Sequence, residues 1–449
     1  RKFIWDAMAV KQEDGTKVMA MSMYPKEGNP LWEKYSTKVV AHTLKWYSHY
    51  TFAYPYPVAW SINAARIGME YPMICFNYGR PHADGTYPAR TKYGMISVII
   101  HEVGHNYFPM IVNSDERQWT WMDEGLTTFI QYLTEQQFER NYPSRRGPAH
   151  KIVDYMKGDK SNISPIMTNS ESIHQFGNNA YGKPATALNI LRETIMGREL
   201  FDLAFKEYCQ RWMFKHPTPA DFFRTMEDAS AVDLDWFWRG WFYSTQHVDL
   251  SLNEVSWFNI DSKNPLVEKV KSRERRQEAP RNISEIRNAQ EIQTTYNERD
   301  PSLNDFYTSF DPLEATTYDQ RQYEQLVDSL SEREQRALAS QKHYYELSFT
   351  NSGGLPMPII LDFEYIDGTR EEHRIPAEIW RFNDTIVTKV FACDKVIKRI
   401  VLDPYLETAD VDRTNNYFPQ QISRSRFQLY REKQDRRPNP MQKYRSIEP

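Results

Sequence analysis

A chain of 449 residues with 40% hydrophobic and 14% aromatic side chains can fill the cores of roughly two to four domains, which excludes a disordered or fibrous protein. The net charge of −4 is close to balance, so the overall electrostatics point neither to nucleic acid nor to an anionic membrane. The three cysteines, Cys75, Cys209 and Cys393, are far apart and form no CxxC pair, which argues against a disulfide framework or a cysteine metal site.

The chain starts at "RKFIWDAMAV", in a pattern like the end of a strand, and residues 1–24 alternate as short strands. They are expected to be the remnant of a preceding β domain, with a signal peptide and the rest of that domain outside the sequence. "NPLWEKYSTKVVAHTLKWYSHY" spaces Leu31, Tyr35, Val39, Leu44 and Tyr47 in a helical rhythm behind a proline. "AWSINAARIGMEYPMICFNYG" predicts two strands and a turn. An apolar helix is expected over 92–112, a second over 123–138, and further helices over 144–158, 180–196, 198–214 and 219–229. The aromatic "LDWFWRGWFY" that closes this block reads as core packing.

Between 251 and 342 the composition turns charged and poor in apolar residues ("KVKSRERRQEAPRNISEIRNAQEIQ"), as in a partly helical linker. Alternating runs return over 343–412, with a "DG" turn between two strand patterns, and predict a small β-sandwich. Residues 413–449 form a basic tail, read as a strap on the surface rather than a nucleic-acid contact. No apolar run approaches the roughly 18 residues needed to cross a bilayer.

One stretch carries chemistry. "SVIIHEVGHNYFPMIVN", residues 97–113, sets two histidines and a glutamate in an apolar segment, and buried polar groups cost free energy unless something satisfies them. On a helix, positions i and i+4 share a face, so His101 and His105 present two imidazoles to one point and can bind a single zinc ion. Glu102 then lies beside the open coordination position, placed to take a proton from a water held there. The alternative, an exposed helix face with two unrelated histidines, conflicts with "GMISVII", which makes the helix apolar nearly all round. Glu124, in "WTWMDEGLTTF", follows His105 after 18 intervening residues, enough to leave one helix and enter an antiparallel second. It supplies a hard oxygen donor and completes a His–His–Glu set.

HExxH followed by 18 residues and a glutamate within "WMDEG" resembles the aminopeptidase N-like family of gluzincin zinc metallopeptidases, over roughly residues 20–250. The resemblance implies a thermolysin-like, mostly helical catalytic domain with a short sheet over 25–250, within an α+β multidomain chain. It implies one zinc ion held by His101, His105 and Glu124, with Glu102 as general base. "IGMEYP" stands where the family has GxMEN, which implies that Glu70 holds the free α-amine of the substrate. "NAYGKPATALNIL" implies that Tyr181 stabilises the oxyanion. Three positions depart from the family: Tyr71 for Asn, Asp123 for Asn, and Pro184 for Gly.

The expected activity is zinc-dependent aminopeptidase hydrolysis of peptides with a free N-terminus. A gluzincin endopeptidase and a catalytically silent scaffold are the alternatives. The resemblance further implies export to the periplasm or cell surface, and the missing N-terminal β domain, or another chain, as a partner.

Overall fold

The computed structural model describes residues 2–340 and 342–421; the part of the basic tail from 422 on lies outside the described residues. The chain is an α+β protein of two compact units. One is built from residues up to Glu254 together with Ser348–Thr388 and the segment from Lys398 on; the other is built from Val255–Leu347 and Lys389–Ile397.

The first unit opens with a five-stranded sheet of β1 (Phe3–Lys11), β2 (Lys17–Pro25), β3 (Val58–Asn63), β4 (Met69–Tyr71) and β5 (Ile74–Asn77), in the order β1-β2-β3-β5-β4. The alternation in "KVMAMSMYP" buries Val18, Ala20, Ser22 and Tyr24 on one face of β2. β2 pairs antiparallel with β1 and parallel with β3, which in turn runs parallel to β5. Residues 2–24 form the first two strands of this sheet. They are an integral part of it, because the buried face of β2 closes against α1 (Leu31–Tyr50). A buried hydroxyl cluster fastens the three elements: Ser36 donates to Ser22, Ser22 and Thr37 lie 2.6 Å apart, and Thr37 donates to Asp6 at 2.7 Å. The segment expected to hold two strands holds three, since Met73, at φ 66°, turns the chain from β4 back into the antiparallel β5.

Against the sheet and α1 lie α2 (Ala89–Gly104) and α3 (Leu126–Phe138). The helix expected over 92–112 stops at Gly104: Phe108 is extended (φ −134°, ψ 120°), and Pro109 has no N–H for a helical ladder. The helix expected from 123 enters through one wide turn, Trp121–Gly125, before α3. Residues 144–158 are mostly irregular, with single turns at Ala149–Lys151 and Val153–Met156, where prolines and glycines break the periodicity. α4 (Lys183–Ile190) follows a wide turn at Gly177–Gly182 and packs on α3.

α1 and α2 approach closely because Gly104 has no side chain. The Tyr47 hydroxyl passes over it and donates to the Thr127 carbonyl at 2.9 Å, and a Cβ at 104 would collide with the Tyr47 hydroxyl and ring. Tyr47 is fully buried and cannot swing away. Gly104→Ala should lower the unfolding free energy by roughly 1–3 kcal/mol, the usual cost of overpacking, as a fall in denaturation midpoint with an unchanged m value.

The first unit also contains a four-stranded sheet of Tyr417–Phe418, Ile397–Leu402, Ile359–Tyr365 and Arg370–Ile375, in that order, whose last two strands form a hairpin across Asp367–Gly368 with Gly368 at φ 82°. Leu250–Asn259, His343–Asn351 and Ile386–Cys393 form a three-stranded sheet with the middle one central. In the second unit, the helices from Pro265–Glu278 to Glu332–Leu338 bury no residue. No described helix is long and apolar enough to cross a membrane.

Candidate metal centre

The two histidines leave the end of α2 on one face, their rings 4.5 Å apart. Glu124, in the wide turn that opens α3, meets them from the facing element. Its Oε2 lies 3.0 Å from His101 Nε2 and 3.4 Å from His105 Nε2. One donor atom from each of the three residues falls within 4.8 Å of the others, so all can reach a common centre.

Hydrogen bonds behind the rings decide which nitrogens face that centre. His105 Nδ1 lies 2.9 Å from the Phe108 carbonyl, which can only accept, so Nδ1 carries a proton and Nε2 is the nitrogen that faces the centre. The helix break explains how that carbonyl gets there: extended geometry at Phe108 frees its oxygen, and Thr127 holds it with a second hydrogen bond of 3.0 Å. For His101, Gln131 plays the same part. Its amide nitrogen donates to Glu135 at 2.8 Å and to the Ser97 carbonyl, leaving Gln131 Oε1 to accept from His101 Nδ1 at 2.9 Å. Two imidazole Nε2 atoms, each ring held by a partner on Nδ1, and one carboxylate oxygen fit a zinc ion.

The electrostatics suit that set. Burial alone would raise the Glu124 carboxyl, but the two imidazoles beside it, His101 and His105, outweigh burial and hold Glu124 well below the usual carboxylate range. Glu102 behaves oppositely: burial, reinforced by the Glu70 and Glu124 carboxylates and only partly offset by His105, pushes it up to about 8, and its Oε2 has no hydrogen-bond partner. An unsatisfied buried carboxylate oxygen beside a three-donor cluster is a group waiting for a proton or a cation.

The structure brings together every residue singled out in the sequence. Glu70 sits at the centre of β4, opposite Cys75, and its carboxylate reaches both Glu102 and the neighbourhood of His105. Gly68 makes room there, since a Cβ at that position would overlap Glu102 Oε1. The Tyr181 hydroxyl donates to Glu124 Oε1 at 2.5 Å, and its ring stacks on His101 with centroids 5.7 Å apart.

The three departures have visible surroundings. Asp123 is buried, and burial lifts its carboxyl to about 7; its Oδ1 lies 2.8 Å from His105 Nδ1 without completing a hydrogen bond, because that proton goes to Phe108. Pro184 packs where a side chain at Gly125 would have to go, which keeps α4 close to the Glu124 turn. Tyr71 is half exposed at the sheet edge, its ring edge-on to Phe76.

Two supporting residues escaped the sequence reading. Gln131 lies two helical turns beyond Glu124, and that spacing was the available signal. Asn106 directly follows the second histidine: its Oδ1 accepts from Met73 N at 2.7 Å, tying the hairpin that carries Glu70 to the end of α2. A buried amide after an apolar helix could have been marked as a candidate.

Residues 35–241 match the profile of the family described as "Peptidase family M1 domain". Among curated relatives, the chain is 23% identical over 189 residues to "Probable aminopeptidase 1" of Sulfurisphaera tokodaii, covering 40% of this chain and 24% of that protein. It is 26% identical over 178 residues to "Glutamyl aminopeptidase" of Homo sapiens, covering 38% and 18%. The chain thus spans about a quarter or less of the length of these relatives. Among solved structures, "Legionella pneumophila aminopeptidase A in complex with aspartic acid" shares the fold at a TM-score of 0.51 and 11% identity, over 91% of this chain and 38% of that one.

Proposed function

We propose that this chain, whose residues 35–241 are a peptidase family M1 domain of the aminopeptidase N-like gluzincin type, is a zinc-dependent aminopeptidase that removes the N-terminal residue of peptides. In this reading the first unit contains a thermolysin-like catalytic domain. The observation that carries it is the convergence of His101 Nε2, His105 Nε2 and Glu124 Oε2 beside the buried carboxylate of Glu102, whose Oε2 has no partner.

His101, His105 and Glu124 would hold the zinc, which when bound supplies Lewis-acid polarisation of a carbonyl and an acidified water. Glu102 accepts the proton of the attacking water and returns it to the leaving amine; a carboxyl lifted by burial is suited to carrying that proton between the two steps. Tyr181, its hydroxyl turned toward the donor cluster, donates to the oxygen on which negative charge develops. Glu70 receives the substrate's α-ammonium. Its place on a short edge strand, pinned through Asn106 to the end of α2, fixes the distance between that amine and the bond to be cut.

The test is mass-spectrometric digestion of a mixed peptide pool, free and N-acetylated, with zinc present and then chelated. Stepwise loss of N-terminal residues from free peptides only, abolished by the chelator, is expected. Glu70→Ala should then raise KM for free peptides by roughly ten- to a hundredfold, the worth of a charge-assisted contact. Internal cuts in both pools would make the enzyme an endopeptidase. No cleavage by zinc-loaded protein would favour the scaffold.

A further inference from the structure

Beside the metal centre, on the side of Tyr181, lies a small cavity of about 240 Å³ lined by Arg145, Arg146, Lys151, Asn178, Gly182 and Thr186. Three cations converge there and no acidic residue lines it. Among the described residues none of the three cations forms an ion pair. Clustered like charges repel one another, so an arrangement of this kind is favoured when an anion enters it.

The cavity is connected to the proposed chemistry through one side chain. The guanidinium of Arg146 lies over the Tyr181 ring, 4.6 Å from its centre, while the Tyr181 hydroxyl donates to Glu124. Burial keeps Arg146 from full hydration, and the Glu124 and Glu135 carboxylates act on it only through space. Glu70 is on the Glu102 side of the donor cluster and Arg146 is on the Tyr181 side. In the proposed reading the amine rests on Glu70 and the reacting carbonyl on Tyr181, so the part of the peptide that follows the cleaved bond is the part nearest Arg146.

We propose that Arg145, Arg146 and Lys151 form a carboxylate-binding subsite for the part of the peptide that follows the cleaved bond. This rests on the aminopeptidase reading. The carboxylate is either the C-terminal group of a short peptide or the side chain of an Asp or Glu just after the scissile bond. Guanidinium groups bind such planar anions with paired hydrogen bonds, and the Asn178 amide and Thr186 hydroxyl are further donors. The cavity has room for a carboxylate together with the stem that carries it. The subsite thus makes the enzyme selective for short or acidic peptides.

The experiment compares Ala-Ala-Ala, its C-terminal amide, and amidated peptides with Asp at the second or third position. Cleavage is followed with zinc-loaded wild type, and binding by calorimetry to zinc-loaded Glu102→Gln, which does not consume the peptide. The expected result is a preference of about tenfold in kcat/KM and in Kd for carboxylate-bearing peptides over the plain amide, carried mainly by KM. The preference should disappear in Arg145→Gln/Lys151→Gln, whose cleavage of the plain amide stays unchanged. Both side chains are exposed, so these variants keep the fold; Lys151→Glu should turn the preference against carboxylates. A gain for Ala-Ala-Ala alone identifies the C-terminal carboxylate, and a gain for one of the Asp amides identifies a side chain. Equal cleavage of all peptides, or a preference that survives the double variant, overturns the subsite and leaves the aminopeptidase standing. Carboxylate-selective binding without cleavage overturns the aminopeptidase and leaves the subsite; neither cleavage nor binding overturns both.

Discussion

Glu102→Gln should lower kcat by at least about a thousandfold while the protein keeps its zinc and its fold. Positioned proton transfer contributes roughly 10²–10⁴-fold, and a single residue charged with both the acceptance and the return of the proton stands at the upper part of that range. The substitution is unusually clean because of where Glu102 sits. It is buried, its Oε2 has no partner, and burial pushes its carboxyl up to about 8. Glutamine has the shape of the protonated acid that this surrounding prefers, so no buried group loses a partner and no charge is stranded. Zinc content after dialysis and the thermal midpoint of the metal-free protein should therefore match wild type, while turnover of a free tripeptide collapses. Zinc retained together with wild-type turnover would rule out Glu102 as the base and would require another proton acceptor in the site.

The parts of this site that were legible in the sequence share one property: each depends on spacing along a single regular element or across one tight connection. His101 and His105 are related by helical period alone, and Glu124 by the shortest path from one helix into the next, so their meeting could be anticipated. Glu70 and Tyr181 could be named only through resemblance. Their positions depend on a sheet edge and on a turn far along the chain, and no local periodicity carries that information. The helix break after His105 went unread because "NYFPMI" is apolar enough to continue a buried helix. Its outcome turns on Pro109, and on the tertiary use of the Phe108 carbonyl as a partner for His105. The partners of residues 2–24 were hidden for a related reason. A strand pattern states that a face is buried, not which elements cover it, and here the covering element is α1, a few residues further on. The polar partners behind the ligands, Gln131 and Asn106, were hidden because a buried amide in an apolar stretch has no pattern of its own until its acceptors are known.

Glu124→Ala should remove zinc almost completely, and far more than any change behind the ligands. The truncation takes one of three donors from the cluster, deprives both histidine Nε2 atoms of their carboxylate, and leaves the Tyr181 hydroxyl without its acceptor. Gln131→Leu provides the graded comparison. It keeps all three donors and removes only the oxygen that orients His101, for which a loss of roughly 10–100-fold in metal affinity is usual. Competition with a chelator of known affinity should accordingly rank wild type above Gln131→Leu and Gln131→Leu well above Glu124→Ala, with peptide cleavage falling in the same order. The thermal midpoint adds an independent reading: a metal that binds only the folded state raises it, so the zinc-dependent gain should shrink for Gln131→Leu and vanish for Glu124→Ala. If Glu124→Ala held zinc as tightly as Gln131→Leu, the third ligand would have to be another carboxylate. Glu70 and Asp123, which share a second cluster with His105, would be the residues to substitute next.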